Sequence, residues 1–361
     1  MAIGRVQIAL SVVITLVVVT AVALFPSVQA GGKALPMLAE AVGIDIPRPF
    51  APEISRTDTE LGGVTGHLYV PESEAPPVVL VPGAAPGGKD DPRVVRVARS
   101  IARAGRTVFV PDLILSERRL DERDLDSIVE ATVALAGRPD ADGRVALLGV
   151  SYGGSFALVA AADPRLEGRV AIVATFGAYF DLRGVIQAVS TGTSIVGARR
   201  VPWEGHPLAG QILAAQAEAL APESSRPGLR AALQAEIDPS ELSPDARAVF
   251  DLIENEDPSR TFGLAAALPA DGRRMLERFS PSMVAGDIEA PVVAMHSTDD
   301  PAVPYAELLR LRAGLPTART VGVEAFRHVD LRAAGPAAWV TVAGDLIGAW
   351  RFASWFLEAQ E

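Results

Sequence analysis

Val145-Ala146-Leu147-Leu148-Gly149-Val150-Ser151-Tyr152-Gly153-Gly154 is the stretch whose reading decides the fold. A short apolar run ends in Gly-x-Ser-x-Gly, and a helical pattern of small residues follows from Phe156 to Ala162. Strand, tight turn and helix in that order lift a serine clear of a sheet edge. The turn holds Ser151 in a strained backbone conformation, and side chains at Gly149 and Gly153 would collide across it. The amide of Tyr152 falls at a helix N-terminus, where developing negative charge is stabilised. The bland alternative is a glycine-rich turn whose serine merely caps the helix. The flanking strand and helix favour a nucleophile.

Working outward, Val78-Val79-Leu80-Val81 is a buried-strand run ending in Pro82-Gly83, and Thr107 to Val110 reads as the next strand. Between them Asp91 and Pro92 start a helix, Val94, Val97, Ala98 and Ile101 share one face of it, and Gly105 ends it. Gly63 to Val70 alternates like an early edge strand. Leu125 to Ala136 is helical, and Arg169 to Thr175 is strand again. Short strands separated by helices predict an α/β fold, with a mostly parallel sheet covered on both faces.

The alternation stops near Asp181. From there to Ser282 the chain is rich in Ala and Leu, with helical segments at Gly210–Leu220, Gly228–Ile237 and Asp245–Asn255, split by prolines and without a convincing strand. This helical insertion is read as a cap over the carboxyl edge of the sheet, where open α/β sheets bind ligands. Strand, helix, strand and a last helix from about Pro336 to Leu357 complete the pattern. Asp345 and Arg351 argue against that helix being a membrane span. The expected organisation is therefore 1–30 as membrane anchor or signal peptide, 31–62 as linker or lead-in with one short helix at Leu35–Val42, 63–181 and 182–282 as first core part and cap, and 283–361 as second core part.

Val6 to Phe25 carries no charge and, at about 1.5 Å per residue, matches a hydrocarbon core of about 30 Å. Two readings compete: an uncleaved N-terminal transmembrane helix, which its length favours, or a signal peptide cut after Val28-x-Ala30. Arg5 and the amino terminus favour the cytoplasmic side, which would put the rest of the chain outside. The expectation is a single-pass membrane protein with an extracytoplasmic domain, or a secreted one after cleavage. A net charge of −11 without a Lys/Arg cluster argues against nucleic acid as a partner. With no cysteine there are no disulfides, thiolate sites or cysteine nucleophiles, and four histidines without ligand spacing make a metal site unexpected.

A serine hydroxyl needs a base within hydrogen-bond reach, itself oriented by a third group. His67 precedes the first core strand, His206 lies in the insertion, and His296 ends a strand and packs there. His328 follows the last strand, where the order Ser…Asp/Glu…His places the base. For the acid, Asp300 follows the penultimate strand in His296-Ser297-Thr298-Asp299-Asp300-Pro301-Ala302-Val303-Pro304, with Asp299 holding the turn. Asp181 is the serious rival, and Asp330 is too close to His328 along the chain. An oxyanion is expected to bind the amides of Tyr152 and of Ala84, with Ala85 next in line. Trp203, Phe250 and Phe262 are candidate wall residues of the cap, though such aromatics more often form its core.

These residues together resemble the α/β-hydrolase superfamily over roughly Val64–Phe180 and Met283–Trp355. Gly149-Val150-Ser151-Tyr152-Gly153-Gly154 looks like the elbow of dienelactone-hydrolase-like esterases and of prolyl-oligopeptidase-type peptidases. The stretch from His296 to Pro304 is similar to His-Gly-x-x-Asp-x-x-Val-Pro with one residue inserted, and Phe326-Arg327-His328-Val329-Asp330 looks like the terminal histidine loop. Two positions depart from the family: Pro82 stands where the oxyanion loop usually has histidine, and Ser297 replaces a usual glycine. The resemblance implies a hydrolase without metal or cofactor and does not imply a substrate; the expected partner is a small-molecule acyl substrate. The expected activity is a serine carboxylesterase. A prolyl-oligopeptidase-type peptidase is the alternative, although no propeller-sized N-terminal repeat domain is present. A catalytically silent α/β-hydrolase-fold binding protein is the reading from a different class.

Overall fold

The computed structural model describes residues 28–41, 52–72, 76–139, 141–324, 326–327, 330–331 and 339–359. The candidate span Val6–Phe25 and His328 lie outside the described residues. Helix α1 (Val28–Ala41) leads into a hairpin of β1 (Ile54–Leu61) and β2 (Val64–Pro71). Then come β3 (Pro77–Val81), α2 (Pro92–Arg103), β4 (Thr107–Pro111), α3 (Glu122–Ala136), β5 (Val145–Val150), α4 (Tyr152–Ala161) and β6 (Val170–Phe176). Helix α5 (Leu182–Thr191), the hairpin β7 (Thr193–Val196) and β8 (Arg199–Pro202), and helices α6 (Pro207–Ala217), α7 (Arg226–Leu233), α8 (Pro244–Ile253), α9 (Thr261–Ala266) and α10 (Ala270–Arg278) follow. The chain returns to the sheet with β9 (Val292–Ser297), α11 (Ala306–Gly314) and β10 (Arg319–Val323). It continues through the two-residue strands β11 (Phe326–Arg327) and β12 (Asp330–Leu331) to α12 (Trp339–Glu358).

Eight strands form one sheet in the order β1-β2-β4-β3-β5-β6-β9-β10, antiparallel at β1, β2 and β4 and parallel from β4 onward. The central strands are apolar at every position because both faces are covered. Val79, Val81 and Leu147 face α3, α4 and the inserted helices, whereas Val78, Leu80, Ala146 and Leu148 face α1, α2 and α12. Each central strand thus feeds two cores, and β5 ends at the seam between them.

Two expectations are corrected. The segment 31–62 holds more than the expected lead-in with its one helix, since β1 belongs to the sheet; the helix itself is present as α1, which packs on α2 and α12 and buries Ala34 and Met37. Strand β1 escaped the sequence reading because Ile54–Leu61 is an edge strand of mostly exposed polar residues. The insertion is likewise not free of strands: β7 and β8 pair around Gly197, whose φ of +57° suits the turn. Both are four residues long, β8 is mostly exposed and β7 buries only Ser194 fully, so they leave no apolar run to detect. Among the described residues no helix is long and apolar enough to cross a membrane.

The insertion reaches the carboxyl ends of the sheet at two points. Gln216 of α6 donates through Nε2 to the Arg118 carbonyl at 2.6 Å, beyond β4. Trp203 donates through Nε1 to the Asp300 carbonyl at 2.8 Å, beyond β9.

Candidate active site

Ser151 joins β5 to α4 with φ +55° and ψ −132°, a backbone state costing an L-residue on the order of 1–3 kcal/mol. The surrounding close packing holds it there. A β-carbon on Gly149 would lie 2.4 Å from the Gly153 carbonyl oxygen, and one on Gly153 would lie 2.3 Å from that of Pro82. Neither position has room for any side chain. The Ser151 amide donates to the Phe176 carbonyl at 2.7 Å, and the Gly154 amide returns to the Ser151 carbonyl at 2.9 Å. Ser151 is 9% exposed, so its hydroxyl stands at a nearly closed surface.

Tyr152 opens α4, so its amide is among the first N–H groups of the helix, which have no partner within it. Its ring points away into the core, edge-on to Tyr179 with centroids 5.0 Å apart, and burial pushes its phenol pKa up. The turn after β3 is pressed against the elbow. A β-carbon on Gly83 would stand 2.9 Å from the Val150 carbonyl oxygen and 3.0 Å from Ser151 Cβ. Ala84 is the next residue of this turn.

The support that Pro82 does not give this loop comes from charged groups farther along it. Arg56 of β1 donates to Asp90 at 2.9 Å, Lys89 bonds the same carboxylate at 2.8 Å, and Asp91 caps α2 by accepting the Arg93 amide at 2.8 Å. His67 of β2 is buried beside these groups, with Nε2 2.8 Å from Asp58. Burial and Arg56 depress its pKa. Three strand spacings, about 14 Å, separate its strand from β5, and that removes it as a base for Ser151.

Asp300 lies beyond β9, two strands from Ser151 at the same edge. Its side chain is enclosed, and Oδ1 accepts the amides of Ala302 at 2.8 Å and Val303 at 2.9 Å. His296 is buried on β9, with Nε2 3.0 Å from the Val303 carbonyl and 3.4 Å from Asp300 Oδ2. Its ring is thus engaged within the acid loop. His206 is exposed, and its backbone amide donates to the Pro301 carbonyl at 2.7 Å. Asp181 is the N-cap of α5: Oδ1 accepts the Arg183 amide at 3.0 Å and Oδ2 pairs with Arg183 at 2.6 Å. Both of its oxygens are committed.

Sequence reasoning missed Glu307. This fully buried carboxylate accepts the amides of Phe180 at 3.0 Å and Asp181 at 2.8 Å, and pairs with Arg310. It ties α11 to the loop after β6, and burial raises its pKa. In sequence it is one of several charged residues in a short helix without a marked apolar face, so no signal singles it out. Trp203 was noted only as a wall residue, yet it bonds the Asp300 backbone. Among the described residues no group of His, Asp and Glu is arranged to hold a metal ion.

No family model and no curated protein matches the sequence. Solved structures do. A hormone-sensitive lipase from a metagenome library is 14% identical, with 96% of this chain and 97% of that one covered and a TM-score of 0.50. A dienelactone hydrolase from Anabaena variabilis ATCC 29413 is 18% identical over 83% of this chain and 97% of that one, with a TM-score of 0.42. An acylaminoacyl peptidase is 15% identical over 85% of this chain but only 41% of its own, with a TM-score of 0.45. At such identities the likeness speaks to architecture. The chain has the α/β-hydrolase fold.

Proposed function

We propose that the protein is a serine hydrolase cleaving a carboxylic ester through an acyl-enzyme. The observation that carries the reading is the strained backbone of Ser151 at the end of β5, in a turn whose glycines leave no room for a side chain. Strain of this kind is retained where it presents a reactive group. Ser151 Oγ attacks the ester carbonyl while His328 takes its proton, and the oxyanion is met by the amides of Tyr152 and Ala84. The carbon–oxygen bond to the alcohol breaks as His328 returns the proton to the leaving oxygen. Water, deprotonated by His328, then releases the acid and restores Ser151. Asp300 accepts from the other imidazole nitrogen and stabilises the imidazolium. His206 is the second candidate for the base, because its backbone is bonded to the loop that carries Asp300.

The same reading keeps the domain on a single-pass anchor at Val6–Phe25, facing outward, with secretion after cleavage as the alternative. Helix α1 starts three residues after that run and is docked on the core, which supports an anchor held close to the domain.

A fluorophosphonate probe followed by peptide mapping tests the nucleophile: the adduct should sit on Ser151 and vanish in Ser151→Ala. Release of p-nitrophenol from short acyl esters, without release of amine from peptide anilides, separates esterase from peptidase. Loss of turnover in His328→Asn but not in His206→Asn would assign the base. A folded protein that never labels on Ser151 would instead be a binding module.

A further inference from the structure

The loop that carries Asp300 is gripped from two sides. On the core side the His296 Nε2 lies 3.0 Å from the Val303 carbonyl. A carbonyl only accepts, so Nε2 carries the proton, and the same N–H faces Asp300 Oδ2 at 3.4 Å. On the other side two groups of the insertion reach in. Trp203 Nε1 donates to the Asp300 carbonyl at 2.8 Å, and the His206 amide donates to the Pro301 carbonyl at 2.7 Å. Trp203 is itself fixed. Its amide donates to the Gly192 carbonyl at 2.8 Å, and Gly205 packs on its ring, where a β-carbon would come within 2.4 Å of Cη2.

Inside the loop the carboxylate cannot turn independently of the backbone. Asp300 Oδ1 accepts the amides of residues two and three further on, so side chain and turn move as one body. Holding the Asp300 carbonyl therefore aims the carboxylate. We infer that Trp203 is a positioning residue for the proposed reaction. Its indole N–H sets the orientation of Asp300, and it makes the placement of the acid depend on the β7–β8 hairpin of the insertion. A rearrangement of the insertion around a substrate would then be felt at the carboxylate. The inference rests on Asp300 being the acid of the proposed site.

Two substitutions separate hydrogen bonding from packing. Trp203→Phe keeps an aromatic ring and removes the donor. Trp203→His loses the benzo ring but keeps a ring nitrogen close to the position of Nε1. The full chain is assayed at pH 8 on a p-nitrophenyl ester, beside Ser151→Ala and Asp300→Asn, with thermal melts of every variant. Misplacement of a catalytic group by a fraction of an ångström costs about tenfold in rate, so Trp203→Phe should lower kcat about tenfold while KM changes less than about twofold. The acidic limb of its pH–rate profile should move to lower pH, because a poorly aimed carboxylate supports the imidazolium less. Trp203→His should have the higher kcat of the two even where its melting temperature is the lower.

If kcat instead follows melting temperature across the two variants, or Trp203→Phe keeps the wild-type kcat and pH profile, Trp203 is a packing residue and the inference fails. Full activity in Asp300→Asn with none in Ser151→Ala would remove the acid assignment and this inference together, leaving the nucleophile in place. Full activity in Ser151→Ala would remove the proposed function itself.

Discussion

Gly83→Ala probes the distance between the oxyanion loop and the nucleophile with a single methyl group. Gly83 does not have a positive φ, so alanine brings no backbone strain and the effect is steric. The added carbon would stand 2.9 Å from the Val150 carbonyl oxygen and 3.0 Å from Ser151 Cβ, whereas ordinary contact begins at 3.4 Å. The turn after β3 and the end of β5 must therefore separate by roughly 0.4–0.5 Å, the usual response to overpacking. The Ala84 amide, the proposed oxyanion donor, belongs to the same turn and should withdraw with it. Removing an oxyanion donor outright costs about 10²–10³ in kcat, so this partial withdrawal should cost about 10–100-fold. Stability should fall by about 1–3 kcal/mol, or about 1–4 °C in Tm for a chain of this length. Steady-state kinetics on a p-nitrophenyl ester, with a melt of the same preparation, gives both numbers. Gly210→Ala is the control, since nothing lies within 4 Å of its β-carbon and its φ is ordinary. It should leave kcat unchanged and, since Gly210 lies within α6, raise stability by about 0.5–1 kcal/mol. A Gly83→Ala protein that melts early yet keeps kcat within about twofold of wild type would refute the placement of the oxyanion loop.

Ser151→Gly should be more stable than Ser151→Ala by about 1 kcal/mol, because glycine relieves the positive φ and alanine retains it; equal denaturation midpoints would show that the turn is unstrained. Asp181→Ala should cost about 1 kcal/mol through loss of the α5 cap and leave kcat/KM unchanged, whereas a drop comparable to that of Asp300→Asn would make Asp181 the acid. Asp124 on α3 is buried while accepting the amides of Ile114 and Leu115, and burial raises its pKa to about 6. Its stabilising share is full below the unfolded carboxyl pKa near 4 and is lost as pH rises through about 6. Asp124→Asn does not titrate, so between pH 4 and pH 7 it should gain on wild type by on the order of 2–3 kcal/mol in urea melts; parallel stability curves would contradict this.

The parts of the fold legible in sequence are those in which local pattern and tertiary environment agree. Val78–Val81 and Val145–Val150 are apolar throughout because each is buried on both faces, and that condition is written in every residue. The elbow was legible for a different reason: the close approaches at Gly149 and Gly153 admit only glycine, so steric need appears directly as residue identity. Strand β1 was not legible, since Ser55, Arg56, Thr57 and Asp58 are exposed on an edge and their strand state is imposed by the hairpin with β2. Glu307 was hidden because its role depends on amides more than 120 residues away in the chain. The same holds for Trp203, which is 97 residues from the carbonyl it bonds.

The choice between Asp181 and Asp300 turns on a local pattern that the sequence carries only in part. Asp91-Pro92-Arg93, Asp121-Glu122-Arg123, Asp163-Pro164-Arg165 and Asp181-Leu182-Arg183 share one spacing, aspartate with arginine two residues later. In all four the aspartate precedes a helical turn, and Oδ1 accepts both the backbone amide and Nε of that arginine while Oδ2 takes a terminal guanidinium nitrogen. The guanidinium presents parallel donors at the spacing of a carboxylate, so the pair closes on itself and holds the charge at the helix start. For Asp91, Asp121 and Asp163 the arginine is also the leading cause of a depressed pKa. A carboxylate spent in this way caps a helix and has little left to offer an imidazole. Asp300 has Ala302 in the corresponding place. Its Oδ1 takes two backbone amides, and its Oδ2 faces a ring N–H of His296 at 3.4 Å, with no arginine at that spacing to close the fork. At these four helix starts the arginine two positions on closes the fork, but Asp238 caps a turn with Ser240 in that place, so what sets Asp300 apart from Asp181 is how many donors each carboxylate already serves and not the spacing alone.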